Sequence, residues 1–297
     1  MCQGNFRRFK VLINEAGLYR HSAGQTHSDG AILAVHFWAA CNDRPVSWAC
    51  LSTNWPPGLW RSVLPTQSCM SRRMATRRFQ AQQQRLEQRA RPSAPPCSII
   101  LLAYLDGKPL EIPWHSHDRQ AGKGRGAGHL ARGYKIHAII DASGRLLAWR
   151  LASLNVDEKK MAPHLLAELE RVCYVVADCN YNSNQLFKTA RLKGMQLIAP
   201  RKASHQGKGL GNHRQDPGRL RSLDLLEDGR TPFAQDILRA RGAIERYFGN
   251  MVNFGGGLTC LPAWVRTYRR VNAWVTAKLT IAHLRTANDA KIVALVA

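Results

Sequence analysis

The sequence predicts a mixed α/β chain: a five-stranded mixed sheet flanked by helices, preceded by an all-helical domain. Three observations predict it. Beyond residue 96, short apolar runs rich in β-branched or aromatic residues alternate with stretches of 3.6-residue apolar period. Before residue 91 the apolar and basic runs have helical character only, with many good helix formers. Between them, RPSAPP at 91–96 is a linker by composition, which sets the expected domains at 1–95 and 96–297.

Charge narrows the partner class. The chain has 297 residues, a formal net charge of +23 and 45% apolar residues, and its pI is near 10.4. That apolar content excludes a disordered chain, and self-repulsion on this scale points to a polyanionic partner. No 18-residue apolar run and no amphipathic anchor are present, so nucleic acid is favoured over a membrane. MCQGNFRRFKVLINEAG at the start lacks a continuous apolar core and does not read as a secretory signal. Eight scattered cysteines without a CxxC pair read as reduced residues of a cytoplasmic protein, not as a zinc site.

In the first domain, residues 1–27 show no sustained period and carry no expected element. Ser28 and Asp29 then form an N-cap for AILAVHFWAAC, apolar nearly all round and therefore a buried helix, with His36 as a core histidine. Residues 66–91 form a basic helix, with seven arginines against one glutamate and a thin stripe of Met70, Met74 and Leu86. Arg72, Arg73, Arg77 and Arg78 are its expected contacts to DNA phosphates; the alternative is a solvated basic face. Phosphate contacts of this kind carry no base sequence information.

The second domain opens with the run SIILLAYLDG, a strand ending at Asp106. HSHDRQAGKGRGAGHLARG follows as a glycine-rich basic loop that matches no nucleotide-binding pattern, so Lys123, Arg125 and Arg132 are expected to touch DNA. His115 and His117 in that loop lack a third nitrogen or sulfur ligand. Strands are expected at 134–140 and 146–154 around a turn at 141–144, a helix at 157–171, and a strand ending at Asp178. A helix at 183–193 and a strand at 195–199 complete the sheet. Residues 201–231, which include Lys202 and His213, read as a polar, basic segment lying beside DNA. RARGAIERYFGNMVNF, 239–254, is a helix with the stripe Ile237, Ile244, Phe248 and Met251, ended by a turn at 254–257. Trp264, Tyr268, Val271, Val275, Leu279 and Ala282 give a last helix that closes this domain.

Carboxylates carry the chemistry. A buried strand has no structural use for an aspartate at its last residue, yet two such runs end in Asp106 and Asp178. Neighbouring strand-end carboxylates suit hard cations, which take oxygen ligands. Glu245, at the edge of its helix stripe, is the third ligand. Two ions about 4 Å apart could then hold the attacking and leaving oxygens of a phosphoryl displacement. The plainer alternative for Glu245 is an i,i+4 pair with Arg241, worth a few tenths of a kcal/mol.

Taken together, YLDGKPLEI around Asp106, GYKIHAIIDASGRLLAWRLASLNVDEKKMA, VVADCNYNSNQLF, GMQLIAPRK and RGAIERYFGN around Glu245 resemble the DDE transposases of bacterial insertion sequences, family four in type. NDRPVSWACLSTNWP and LPTQSCMSRRM extend the resemblance upstream, so that it spans most of 28–285. It implies a ribonuclease-H-like fold with an N-terminal helical DNA-binding domain, and Asp106, Asp178 and Glu245 as catalytic and metal-binding residues. It implies two Mg²⁺ or Mn²⁺ ions, double-stranded DNA partners (element ends and target), a homodimer on DNA, no membrane, and a cytoplasmic, nucleoid-associated protein. Arg241 matches the arginine of the family's Tyr-x2-Arg-x3-Glu-x6-Lys pattern and is a DNA contact on that match. The Tyr and Lys positions hold Leu238 and Val252, so those two contacts are not carried over. Two alternatives stay open: a non-catalytic DNA-binding derivative, and a ribonuclease-H-like nuclease that cuts without joining.

Overall fold

In the computed structural model, described residues are 2–21, 23–92, 98–205, 208–210, 214–227, 231–253 and 257–296, with side chains described to 286. Most of the linker at 91–96, the residue His213 and most of the turn at 254–257 therefore lie outside the described residues. The first elements are helices α1 (Cys2–Glu15), α2 (Asp29–Cys41), α3 (Val46–Ala49), α4 (Gln67–Met74) and α5 (Arg77–Ala90). Strands β1 (Ile100–Glu111), β2 (Gly122–Arg125), β3 (Leu130–Asp141) and β4 (Leu146–Ser153) follow. Then come α6 (Glu158–Ala167), β5 (Val172–Ala177), α7 (Asn184–Leu192), β6 (Gln196–Ile198) and α8 (Pro217–Glu227). Helices α9 (Pro232–Ala240), α10 (Gly242–Asn253) and α11 (Tyr268–Val296) end the chain.

Two compact units result. The first gathers Met1–Pro92, Pro113–Gln120 and Asn250–Ala297; the second holds Ser93–Ile112 and Ala121–Gly249. Helix α11, expected to close the sheet domain, packs instead with α5, α2 and α1 in the first unit. Its buried residues occupy all sides from Val271 to Leu284, as a helix surrounded by other helices requires.

The first unit is built around α2. Ser28 caps it, its side chain accepting from the Ala31 amide at 3.2 Å. Asp29 in its first turn is buried and accepts from Arg73, from Arg78 Nε at 2.6 Å and from Gln82 Nε2 at 2.7 Å. This one carboxylate ties α4 and α5 to α2. Burial alone would raise the Asp29 pKa, but Gln82 and the two arginines more than reverse that and leave it lowered. The basic stretch is two helices, because the chain breaks at Ala75 and restarts with Thr76 capping the Phe79 amide. Residues 2–15, given no element from sequence, form α1. Its buried residues Phe6, Phe9 and Ile13 stand three and four apart, a short helical period lost among charges.

Glu87 is the buried link between α5 and α11. It meets His283 Nε2 at 3.0 Å and Arg91 Nε at 2.8 Å, while Gln83 donates to the Ala273 carbonyl at 2.8 Å.

In the second unit the sheet has six strands in the order β2-β3-β1-β5-β6, with β4 also pairing β3. Strands β1, β5 and β6 are parallel; β2, β3 and β4 join antiparallel to their partners. The expected count was five, and β2 is the addition, drawn from the glycine-rich segment read as a loop. Its glycines explain why. A side chain at Gly122 would strike Asn155 and Ser153, and one at Gly124 would strike the Leu154 carbonyl. Gly-Lys-Gly-Arg thus lets the ribbon lie close on the end of β4. Similarly, α8 occupies part of 201–231 and packs on β6 and α7.

One face of the sheet is covered by α6 and α7. Ala103 and Leu105 of β1, and Val175 and Ala177 of β5, join Leu165, Leu166, Leu186, Phe187 and Tyr181 in a single apolar core. The alternate residues, Tyr104 and Asp106 or Tyr174 and Val176, belong to the opposite face. There Phe233 of α9 meets Tyr174 edge-on, with ring centroids 5.9 Å apart.

Glu87→Ala should destabilise the chain by about 3 kcal/mol, because a charged partner is removed from a buried network. Burial pushes the Glu87 pKa up, but His283 and Arg91 outweigh it and bring it down to about 2. Its contribution is therefore present above the ordinary carboxylate pKa and lost as pH falls toward 2. Urea denaturation from pH 7 to pH 3 should show the deficit of the variant shrinking below pH 4.5. A constant deficit would mean that the loss is one of packing alone.

Candidate active site

The site is set by strand register. Parallel pairing of β1 with β5 matches Tyr104 to Val176 and Leu105 to Ala177. Asp106 and Asp178 are the next residues on each chain, one step beyond the last pair and on the face away from α6 and α7. Contrary to the sequence expectation, β1 does not end at Asp106. It runs on to Glu111, paired with β3 alone, because main-chain pairing needs no apolar side chains. Asp106 therefore sits mid-strand at the point where its β5 neighbour stops. Asp178 turns the chain, capping a short 3₁₀ turn by accepting from the Asn180 amide at 2.8 Å and the Asn180 side chain at 3.0 Å.

The aspartates feel each other. Asp106 accepts from the Gly107 amide at 2.7 Å and is half-buried. Burial, reinforced by the negative charges of Asp178 and Glu158, pushes its pKa up to about 6 against the opposing pull of Gly107 and Arg241. Like-charge neighbours and desolvation act in the same direction here.

Glu245 stands on α10, which begins after a break at Arg241 that divides the single helix expected at 239–254. The stripe is as expected: Ile237, Ile244, Phe248 and Met251 are all buried. The Glu245 side chain is 64% exposed and pairs with Arg241 at 3.4 Å. Arg241 also acts on Asp106, and Arg246 acts on Tyr104, so α10 serves the aspartate face of the sheet. Arg241 is the cation shared by Asp106 and Glu245. Among the described residues no three acidic, His or Cys side chains are gathered as a metal-holding group, so Glu245 and the aspartates stand near one another without converging. In donor chemistry Asp106 and Asp178 fit a hard divalent cation, since they offer carboxylate oxygens only.

The expected DNA contacts fall into three places. Lys123 and Arg125 are exposed on β2, with Lys123 directly opposite Arg132 on β3. Arg72 and Arg77 are exposed on α4 and α5, whereas Arg73 and Arg78 are engaged by Asp29. Lys202 is exposed after β6. His115 and His117 are exposed.

The model of the transposase DDE domain matches residues 102–282, more than half of the chain. The chain belongs to that family. The mixed sheet flanked by helices is consistent with a ribonuclease-H-like DDE domain. No curated protein matches this chain. A chain in the cryo-electron-microscopy structure of the simian T-cell lymphotropic virus intasome in complex with PP2A regulatory subunit B56 gamma is similar at 12% identity and a TM-score of 0.23. That similarity covers 61% of this chain and 58% of the other, a likeness too slight to bear on the fold. This chain thus spans less than two thirds of its structural neighbour.

Sequence reasoning missed the groups around Gly107. Lys135, His137 and Glu158 border Gly107, the residue after Asp106, and Tyr181 lies in the field of Glu158 and both aspartates.

The raised pKa has a measurable consequence. A carboxyl whose folded pKa lies above its unfolded value adds stability at low pH and loses it as pH rises through about 6. Asp106→Asn removes that dependence. In EDTA the variant should match the parent at pH 4 and exceed it at pH 8 by on the order of 2 kcal/mol. A difference independent of pH would show that Asp106 ionises as an ordinary surface group.

Proposed function

We propose that the chain is an insertion-sequence transposase of the family-four type, which cuts DNA at the ends of its element and joins the freed 3′ ends to target DNA. The observation that carries this reading is the register that sets Asp106 beside Asp178 on the sheet face served by α10. On this reading Asp106 and Asp178 hold two Mg²⁺ or Mn²⁺ ions between them, and Glu245 completes one site. A cation bound there supplies positive charge where phosphate oxygens become more negative and lowers the pKa of water.

The chain's own residues do the rest. Arg241, four residues before Glu245, presents a planar fork that can take two phosphate oxygens once Glu245 turns to the cation. Lys123, Arg125 and Arg132 form a basic strip on the β2–β3 ribbon that can follow a phosphate backbone. Arg72 and Arg77 project from α4 and α5, whose position Asp29 fixes through Arg73 and Arg78. Lys202 is a further exposed cation, past β6 at the edge of the sheet opposite β2. Such a site works by positioning and charge stabilisation, with little covalent chemistry asked of the protein.

The test is a cleavage and joining assay on element-end DNA in Mg²⁺. Asp106→Ala, Asp178→Ala and Glu245→Ala should each slow cleavage by roughly a hundredfold or more, with duplex binding close to that of the parent. Near-parental cleavage by any one variant removes that residue from the site. A pre-cut 3′-hydroxyl donor that is never joined to target, despite competent cutting, would favour the nuclease alternative.

A further inference from the structure

On the opposite face of β1 from Asp106 lies a second polar group, outside the family's pattern of three carboxylates. Gly107 follows Asp106, so the space left by its missing side chain opens on that opposite face. Nδ1 of His137 borders this space at 3.3 Å, Oε1 of Glu158 at 3.4 Å and Cδ of Lys135 at 2.9 Å. Glu158 is held there by Lys135 Nζ at 2.6 Å, and the side chains are only 14% and 13% exposed. His137 is fully buried, yet neither ring nitrogen has a hydrogen-bond partner. The buried hydroxyl of Tyr181, in the field of Glu158, Asp106 and Asp178, is likewise unpartnered.

These facts need a common account. Burying a polar atom without a partner costs about 1–3 kcal/mol, and here such atoms cluster about one carboxylate. A first-turn glutamate is favoured by the N-terminus of α6 whether it points outward or inward. Turning inward brings a third carboxylate toward Asp106 and Asp178, a charge that Lys135 offsets in the cation-free protein. A single water would satisfy only one ring nitrogen of His137 and would leave the other, and the Tyr181 hydroxyl, without partners.

We propose that Glu158 is a fourth carboxylate of the cation site, reaching it through the opening at Gly107. The ligand class is a hard divalent cation with its water shell, which serves a carboxylate and a neutral imidazole together. Lys135 is the counter-ion of Glu158 in the cation-free protein and competes with the metal. This inference rests on the assignment of Asp106 and Asp178 as cation ligands.

Mn²⁺ binding to the full chain without DNA, followed by electron paramagnetic resonance of the free ion, tests it separately from catalysis. Glu158→Gln should weaken binding at least tenfold, and Lys135→Met should strengthen it. Glu158→Asp keeps the charge and the helix end but retracts the oxygens, so it too should bind more weakly. It serves as the readout if the Gln variant does not fold. Binding unchanged in the Glu158 variants but lost in Asp106→Asn would overturn the fourth-carboxylate role alone. Binding retained in Asp106→Asn would overturn the underlying assignment, and this inference with it.

Discussion

Parallel pairing of β1 with β5 carries Asp106 to the side of Asp178, and two carboxylates so placed repel each other unless positive charge is near. Much of the second unit answers that repulsion. Arg241 acts on Asp106 from the α10 side and Lys135 neutralises Glu158 on the other. The apolar core under α6 and α7 fixes the strand register, and a slip of one residue would turn an aspartate into that core. Burial and like charge favour the neutral form of Asp106, which the proposed cation site cannot use.

Net charge, the strongest global signal, overstates the surface free for DNA. Arg73 and Arg78 are bound to Asp29, Arg91 to Glu87, Arg191 to Asp216, and Lys278 to Asp43. Lys278 is also packed over Trp274, 4.7 Å from the ring centroid, so it acts as a core residue despite its charge. What remains exposed is better organised than the sequence suggested. Glycines at 122 and 124 face β4 while Lys123 and Arg125 face outward, which converts an apparent loop into a basic ribbon.

The sheet was legible because its strands are apolar runs broken by turn residues: β3, β4 and β5 lie where the pattern places them. Capping chemistry made α2 legible as well, through Ser28. Other features were hidden for physical reasons. Strand β1 passes through Asp106 because backbone pairing ignores side-chain polarity, and α1 buries only a few residues among charged neighbours. Helix α11 has an apolar surface that says it is buried but not against what. Asp106 and Asp178 stood out in the sequence as strand-end carboxylates without a structural use, whereas Glu245, which has a plain i,i+4 partner in Arg241, was singled out through them and the family resemblance. Lys135, His137 and Glu158 did not stand out, since only the register of β3 beside Gly107 and the start of α6 bring them together.

On the proposed function, Asp106, Asp178 and Glu245 share one cation site. Iron(II) in place of the cation, with ascorbate and peroxide, generates radicals that cut the main chain close to where the ion is held. Mapping the fragments by mass spectrometry tests the claim without any assumption about substrate. Cuts should cluster at three segments, around residues 106, 178 and 245, and disappear when excess Mg²⁺ competes. Cuts at 106 and 178 with none near 245, or cuts elsewhere that Mg²⁺ does not suppress, would contradict it.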